Sequence, residues 1–262
     1  MIHEDCRITY MTPAIVTNRM QSDRLLDGVK YLIIDEVHLL ADERGAVIES
    51  IVARTQRLVE SSQKMVRIVG LSATLPNYKD VALFLRVTEN GLFHFGPEYR
   101  PVPLEQTFYG VLGKQKMIQS QQMNEITYER TIDALKRGHQ VMIFVHSRKD
   151  TSKTISALGE LASQNKTMEL FDCHTAPNYS GHRSQVLKSR NEEVRNYFNY
   201  GMGIHHAGML RPDRSLTEKM FEAGSIRILS CTATLAWGIN LPAHCVIIKG
   251  TRSEEHTSEL QS

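Results

Sequence analysis

Asp35 and Glu36 sit where an apolar run, Y-L-I-I at Tyr31 to Ile34, stops at two adjacent carboxylates, passes through Val37 to His38 and turns apolar again at Leu39 and Leu40. Two carboxylates delivered to the end of a buried strand can divide a phosphoryl-transfer reaction between them. The first helps to hold a magnesium ion, usually through coordinated water, and the second orients or deprotonates an attacking water. Asp35 suits the metal and Glu36 the base. The same four letters, D-E-V-H, also fit the solvated start of a helix, where acidic side chains are favoured by the backbone dipoles.

Further polar clusters follow at intervals: S-A-T-L-P from Ser72, F-V-H-S-R-K from Phe144, H-H-A-G-M from His205 and T-A-T-L-A-W-G-I-N-L-P-A from Thr232. Ser72 and Thr74 offer compact hydroxyls able to bridge the carboxylates to a neighbouring lobe, or simply to make a turn or cap. His205 and His206 raise a zinc reading, but adjacent histidines lack the i, i+4 spacing that puts two imidazoles on one helix face. Trp237 reads as a packing residue.

Each of these clusters closes a short apolar or β-branched run. The predicted strands are Arg7–Tyr10, Tyr31–Ile34, Val66–Leu71, Val141–Val145, Ile226–Leu229 and Cys245–Ile248, with helical spacing between them; this is the βαβ pattern. Val47, Ile48, Ile51, Val52, Leu58 and Val59 form one helical stripe after D-E-V-H. Runs that are apolar throughout, rather than alternating, predict strands covered on both faces of a parallel sheet. Open parallel sheets bind ligands at the carboxyl ends of their strands, which is where the polar clusters fall. The stretch from Ala162 to Gly203 has the weakest periodicity and reads as carrying a loop or short insertion.

With 262 residues, 41% hydrophobic and 23% charged, the chain can bury one or two ordinary cores. A formal charge of +2 is too mild for binding nucleic acid by field strength alone, so any phosphate contacts must be local. Cys6, Cys173, Cys231 and Cys245 are too scattered for a disulfide framework or a zinc ribbon, which favours a reducing compartment. No apolar leader opens the chain and no run is long enough to span a membrane, so no membrane partner is expected and the nucleus or cytosol is the expected location.

Taken in order, the five clusters resemble motifs II, III, IV, IVa and V of superfamily 2 helicases. D-E-V-H-L-L-x-D-x-R-G, V-G-L-S-A-T-L-P-N-Y and R-P-V-P-L-E-Q-T are similar to the tandem-cassette members of the DExH-box group, and the resemblance covers Cys6 to Thr251. It implies an α/β protein with two RecA-like lobes built on parallel sheets, the first incomplete. It also implies ATP and Mg²⁺ as cofactors, a DNA or RNA partner, single-stranded or partly duplex, and a place in a larger complex. The activity implied is 3′-to-5′ strand translocation and duplex unwinding driven by ATP hydrolysis.

By the same resemblance, Glu36, Asp35 and His38 are catalytic, His38 linking nucleotide state to the second lobe, while Ser72 and Thr74 couple hydrolysis to strand movement. Gly238 and Asn240 face the nucleotide. Thr12, Pro13, Ser147, Arg148, Thr232 and Thr234 line the nucleic-acid track, where hydroxyls and backbone amides contact phosphates without reading bases.

Two family parts are missing from the sequence: the G-x-x-x-x-G-K-[ST] loop that cradles phosphates, and Q-x-x-G-R-A-G-R with its arginine finger, a group able to supply ~10³ to 10⁵ in rate. Truncation at both ends is therefore expected, with no ATP hydrolysis by these residues alone. The expected organisation is 1–100 for the distal part of lobe 1, 101–104 for a proline-stiffened hinge and 105–251 for lobe 2. The tail, 252–262, resembles the translated sequence of a sequencing-library adapter. A short, non-catalytic form that binds nucleic acid or a partner is the alternative expectation.

Overall fold

The computed structural model describes residues 6–22, 28–42, 45–112, 115–235 and 241–250. The chain divides into two compact units, Met1–Glu105 and Gln106–Ser262.

In the first unit, β1 (Tyr31–Ile34) pairs in parallel with β2 (Arg67–Gly70), Ile34 standing opposite Gly70. They are joined through α2 (Gly45–Ser62), which turns Ile48, Ile51, Val52 and Thr55 inward at helical spacing. α1 (Pro13–Ser22) packs on α2, and α3 (Tyr78–Phe84) follows β2. One sheet face is closed by a small cluster in which Ile34 and Ile68 meet Val37, Val52 and Leu85. The other face is open: Tyr31 and Ile33 are 63% and 62% exposed. Here the expectation of strands covered on both faces fails, because no second layer among the described residues lies against them. Arg7–Tyr10 also forms no strand. With no neighbouring strand to take its amide and carbonyl groups, the segment stays solvated, Tyr10 being 92% exposed.

The second unit carries a four-stranded parallel sheet in the order β4-β5-β3-β6. β3 (Val141–Phe144) is central, with β5 (Ile228–Cys231) and β6 (Cys245–Ile248) on its two sides and β4 (Met202–His205) beyond β5. α4 (Lys116–Lys136), α5 (Arg148–Gln164) and α8 (Arg211–Glu222) pack around it. Both faces are covered over β3, β4 and β5, whereas the edge strand β6 leaves Val246 and Ile248 exposed. β4 and β5 are buried throughout, and Ile155 and Leu158 of α5 lie in the core with Phe171, Phe198 and Phe221. Each such aliphatic side chain contributes about 1.5–3 kcal/mol by leaving water.

Ala162–Gly203 holds two short helices, α6 (Tyr179–Val186) and α7 (Glu192–Phe198), with irregular segments around them, before entering β4. Asn191 caps α7, its Oδ1 accepting from the amides of Glu193 (3.0 Å) and Val194 (3.4 Å). β5 begins two residues later than predicted, because the amide of Arg227 donates to the Gly201 carbonyl at 2.7 Å, outside the β3–β5 register. No helix among the described residues is long and apolar enough to cross a membrane.

Candidate hydrolytic site and nucleic-acid edge

Parallel pairing of β1 with β2 brings their carboxyl ends together. The Leu71 amide donates to the Ile34 carbonyl (2.9 Å) and the Val37 amide donates to the Leu71 carbonyl (2.8 Å), so the Asp35–Glu36 corner is pinned beside Ser72. Glu36 adopts a left-handed conformation, φ 55° and ψ 44°. For a non-glycine residue this costs of order 1 kcal/mol, partly offset by the Glu36 amide donating to Asp35 Oδ1 at 3.0 Å.

His38 joins the two strand ends. Its Nδ1 lies 3.2 Å from Glu36 Oε2 and 3.3 Å from the Ala73 amide nitrogen, in the middle of S-A-T. One ring nitrogen cannot serve both: bare, it accepts from Ala73; protonated, it donates to Glu36. The imidazole therefore has two exclusive partners, one in each motif. Ser72 Oγ donates to the Ala73 carbonyl at 2.8 Å, and Thr74 is exposed. Among the described residues no hydrogen bond joins either hydroxyl to a carboxylate; the link between the two strand ends runs from the imidazole to the Ala73 backbone.

No group of three or more His, Cys, Asp or Glu side chains among the described residues could hold a metal ion, His205 and His206 included. Magnesium needs no such cage. It dehydrates reluctantly and binds through one or two carboxylates, several waters and substrate phosphates. Asp35 fits that donor set, with Oδ1 tied to the Glu36 amide and Oδ2 remaining for an ion or its water. When bound, the ion would neutralise charge on the phosphates.

In the second unit four strand ends line up. The Val145 amide donates to the Cys231 carbonyl (2.9 Å), Thr232 to His205 (3.1 Å) and Lys249 to Phe144 (2.9 Å). Thr232 and Thr234 pair through their hydroxyls at 2.8 Å. Ser147 caps α5: Oγ accepts from the Asp150 amide (3.2 Å) and donates to Asp150 Oδ2 (2.9 Å), so its hydroxyl holds the helix start. Arg148 is exposed and lies over Gly208, where a Cβ would meet its Nη1 at 3.0 Å and His206 Nδ1 at 3.2 Å. Arg148, His206, Thr232 and Thr234 thus share one polar edge. Thr12 and Pro13 begin α1 in the first unit, Thr12 accepting from the Val16 amide. Gly238 and Asn240, with Trp237 and the tail, lie outside the described residues.

Two further groups stand at this edge: Lys249, half-buried, which the sequence did not single out, and His205, buried, which the sequence raised only as a zinc ligand. Lys249 donates to Asn124 Oδ1 on α4 and Thr154 Oγ1 on α5, and burial pulls its pKa below the usual lysine range. His205, 3% exposed, bonds through Nε2 to Glu218 Oε1 at 2.7 Å, leaving Nδ1 without a partner. Burial lowers its pKa more than Glu218 raises it, and Arg214 lowers it further.

The sign for stability follows. Below about 6.5 the unfolded chain binds a proton that folded His205 refuses, so stability is full above that pH and is lost as pH falls towards the depressed folded value. His182, also lowered by burial, acts in the same direction. Urea unfolding of the second unit is expected to show a lower midpoint at pH ~5.5 than at pH ~7.5. In His205→Gln the difference should shrink, since an amide retains a bond to Glu218 and does not titrate.

Two successive α/β units, each a parallel sheet with its polar motifs at the carboxyl edge, are the architecture of RecA-like helicase domains. The match is specific: the DEAD/DEAH box helicase family covers residues 1–81 and the helicase conserved C-terminal domain covers residues 123–262, and the chain belongs to the superfamily 2 DExH-box helicases. It is 53% identical over 253 residues to the DExH-box ATP-dependent RNA helicase DExH14 of Arabidopsis thaliana, covering 95% of this chain and 12% of that protein. It is 54% identical over 240 residues to activating signal cointegrator 1 complex subunit 3 of Rattus norvegicus, covering 91% and 11%. The RQC trigger complex helicase SLH1 of Saccharomyces cerevisiae is 52% identical over 241 residues, covering 91% and 12%. The chain therefore spans 11–12% of the length of these relatives.

Proposed function

We propose that these residues belong to an ATP-driven helicase that moves 3′ to 5′ along a single strand and opens duplex ahead of it, and that the strand is RNA. Glu36 acts as base towards the attacking water, and Asp35 would hold Mg²⁺ through a coordinated water that donates to its carboxylate.

 His38, shared between Glu36 and the Ala73 amide, passes the state of the attacking water to S-A-T, so that Ser72 and Thr74 couple hydrolysis to movement. Gly238 and Asn240, outside the described residues, are assigned to nucleotide binding by resemblance to the family alone. Thr12, Pro13, Ser147, Arg148, Thr232 and Thr234 belong to the strand's track, Ser147 by fixing the start of α5 rather than by touching phosphate. The observation that carries the reading is the single imidazole between the acidic corner and the next strand end.

RNA, and membership of a larger complex, rest on the names of the relatives, which include an RNA helicase and a complex subunit. The nucleus or cytosol follows from the scattered free thiols. We assign 1–100 to the distal part of lobe 1, 101–104 to the hinge, 105–251 to lobe 2, and 252–262 to an adapter-derived tail. The test uses the chain itself with a labelled oligo-uridine strand. It is expected to bind in a salt-dependent manner and to hydrolyse no ATP above background. Arg148→Ala should lower the salt slope by about 1, and Thr232→Val with Thr234→Val should weaken binding at every salt concentration. Binding indifferent to all three substitutions would remove this edge from the track.

A further inference from the structure

On the second unit a cleft of about 340 Å³ opens between the segment from Gln185 to Arg190 and the start of α8. Its two sides differ in chemistry. Leu210, Pro212 and Leu216 give it an apolar wall, while Lys188 and Arg190 stand on the opposite rim. Leu210 is 66% exposed and Leu187, next to the rim, is 68% exposed, so apolar surface is left in water around an already concave site.

The rim is held in place. Ser189, between the two cations, donates from Oγ to the buried Asp213 Oδ1 at 2.7 Å and accepts from the Asn191 amide at 3.0 Å. The Arg195 guanidinium donates to the Ser189 carbonyl. The loop is thus tied to α8 and α7 together, and a ligand has little of it left to order. The cations of the cleft are Lys188 and Arg190; its one lining carboxylate, Asp213, is buried and accepts from Ser189, and α8, with three basic and three acidic side chains, adds no net charge.

We propose that this cleft docks a short acidic segment of a partner protein, which seats an apolar side chain against Leu210, Pro212 and Leu216 and sets its carboxylates on Lys188 and Arg190. Positive charge alone would suit nucleic acid equally well. The wall decides for peptide: the lining holds no aromatic ring on which a base could stack, and a sugar–phosphate backbone has no aliphatic group to bury there.

The test titrates the 262-residue chain with fluorescein-labelled Glu-rich peptides carrying Leu, Met, Phe or Ala at two central positions, followed by anisotropy. The Leu, Met or Phe peptide is expected to bind, with affinity reduced about tenfold or more in the Ala peptide, in Leu210→Ser and in Lys188→Glu with Arg190→Glu. All three positions are exposed, so the fold should be retained, and circular dichroism verifies this. Unlabelled oligo-uridine should not displace the peptide. The proposal is overturned if no peptide binds at ~1 mM, if the Ala peptide binds as well as the others, if the variants bind as the parent does, or if oligo-uridine competes.

Discussion

Glu36→Gln, introduced into a version of the protein extended to carry both the G-x-x-x-x-G-K-[ST] loop and the Q-x-x-G-R-A-G-R motif, is expected to cut steady-state phosphate release by ~10²- to 10⁴-fold with nucleotide binding nearly unchanged. The substitution keeps the shape of the side chain and removes its ability to take a proton. Asp35 retains both oxygens, so the group proposed for the magnesium-bound water is untouched. The backbone cost at this corner is also the same in both proteins, because glutamine meets the same penalty at φ 55° as glutamate. What changes is confined to the reacting water and to the partner of His38. Phosphate release and the binding of a fluorescent ATP analogue, measured on the same preparation, separate the two. Turnover equal to the parent would exclude Glu36 as the base, whereas equal loss of binding and turnover would assign it to holding the nucleotide.

The parts of the fold that could be read from the sequence are those fixed by local pattern. Tyr31–Ile34 and Cys245–Ile248 are strands to the residue, because each is an unbroken β-branched or apolar run with clear punctuation at its ends. Ser147 could be placed at a strand end, but its hydroxyl turns back onto Asp150 to cap α5, a helix-start signal already contained in S-R-K-D. α7 carried an equally local signal, Asn191 followed by Glu192 and Glu193, in a stretch whose overall periodicity is weak. β4 offered no such help. Met-Gly-Ile-His is four residues long, contains a glycine and becomes a strand only because β5 lies beside it.

The candidate site shows the same division. Asp35 and Glu36 are adjacent in the chain, and their placement at a strand end is a one-strand inference. The link from His38 to Ala73 spans 35 residues and depends on the β1–β2 register, which no local pattern encodes. His205 and Glu218 meet because β4 packs on α8. Lys249 finds Asn124 across 125 residues. Sequence spacing could name the groups that do chemistry, and packing determined which groups hold them.

Gly201 is where that packing is least tolerant. It sits immediately before β4 with φ +65°, and a Cβ built on it would stand 1.9 Å from the Phe171 carbonyl oxygen. No rotamer relieves the overlap, because both atoms are set by backbone. Phe171 cannot yield, being 1% exposed in the centre of the core, and the Gly201 carbonyl is itself held by the Arg227 amide at 2.7 Å, which fixes where β5 starts. Gly201→Ala is therefore expected to destabilise the second unit by about 4 kcal/mol, a large part of the ~5–15 kcal/mol typical of a whole domain. Gly224→Ala is the control: its φ is also positive, at +73°, but nothing lies within 4 Å of the added methyl, so only the conformational cost of about 1 kcal/mol remains. Urea unfolding followed by circular dichroism compares them. Equal midpoints for the two variants would mean that the Phe171 turn moves aside freely. If instead Gly201→Ala alone falls, β4 has been displaced, and with it the line from His205 to Thr232, so affinity for oligo-uridine should fall in that variant and stay unchanged in Gly224→Ala.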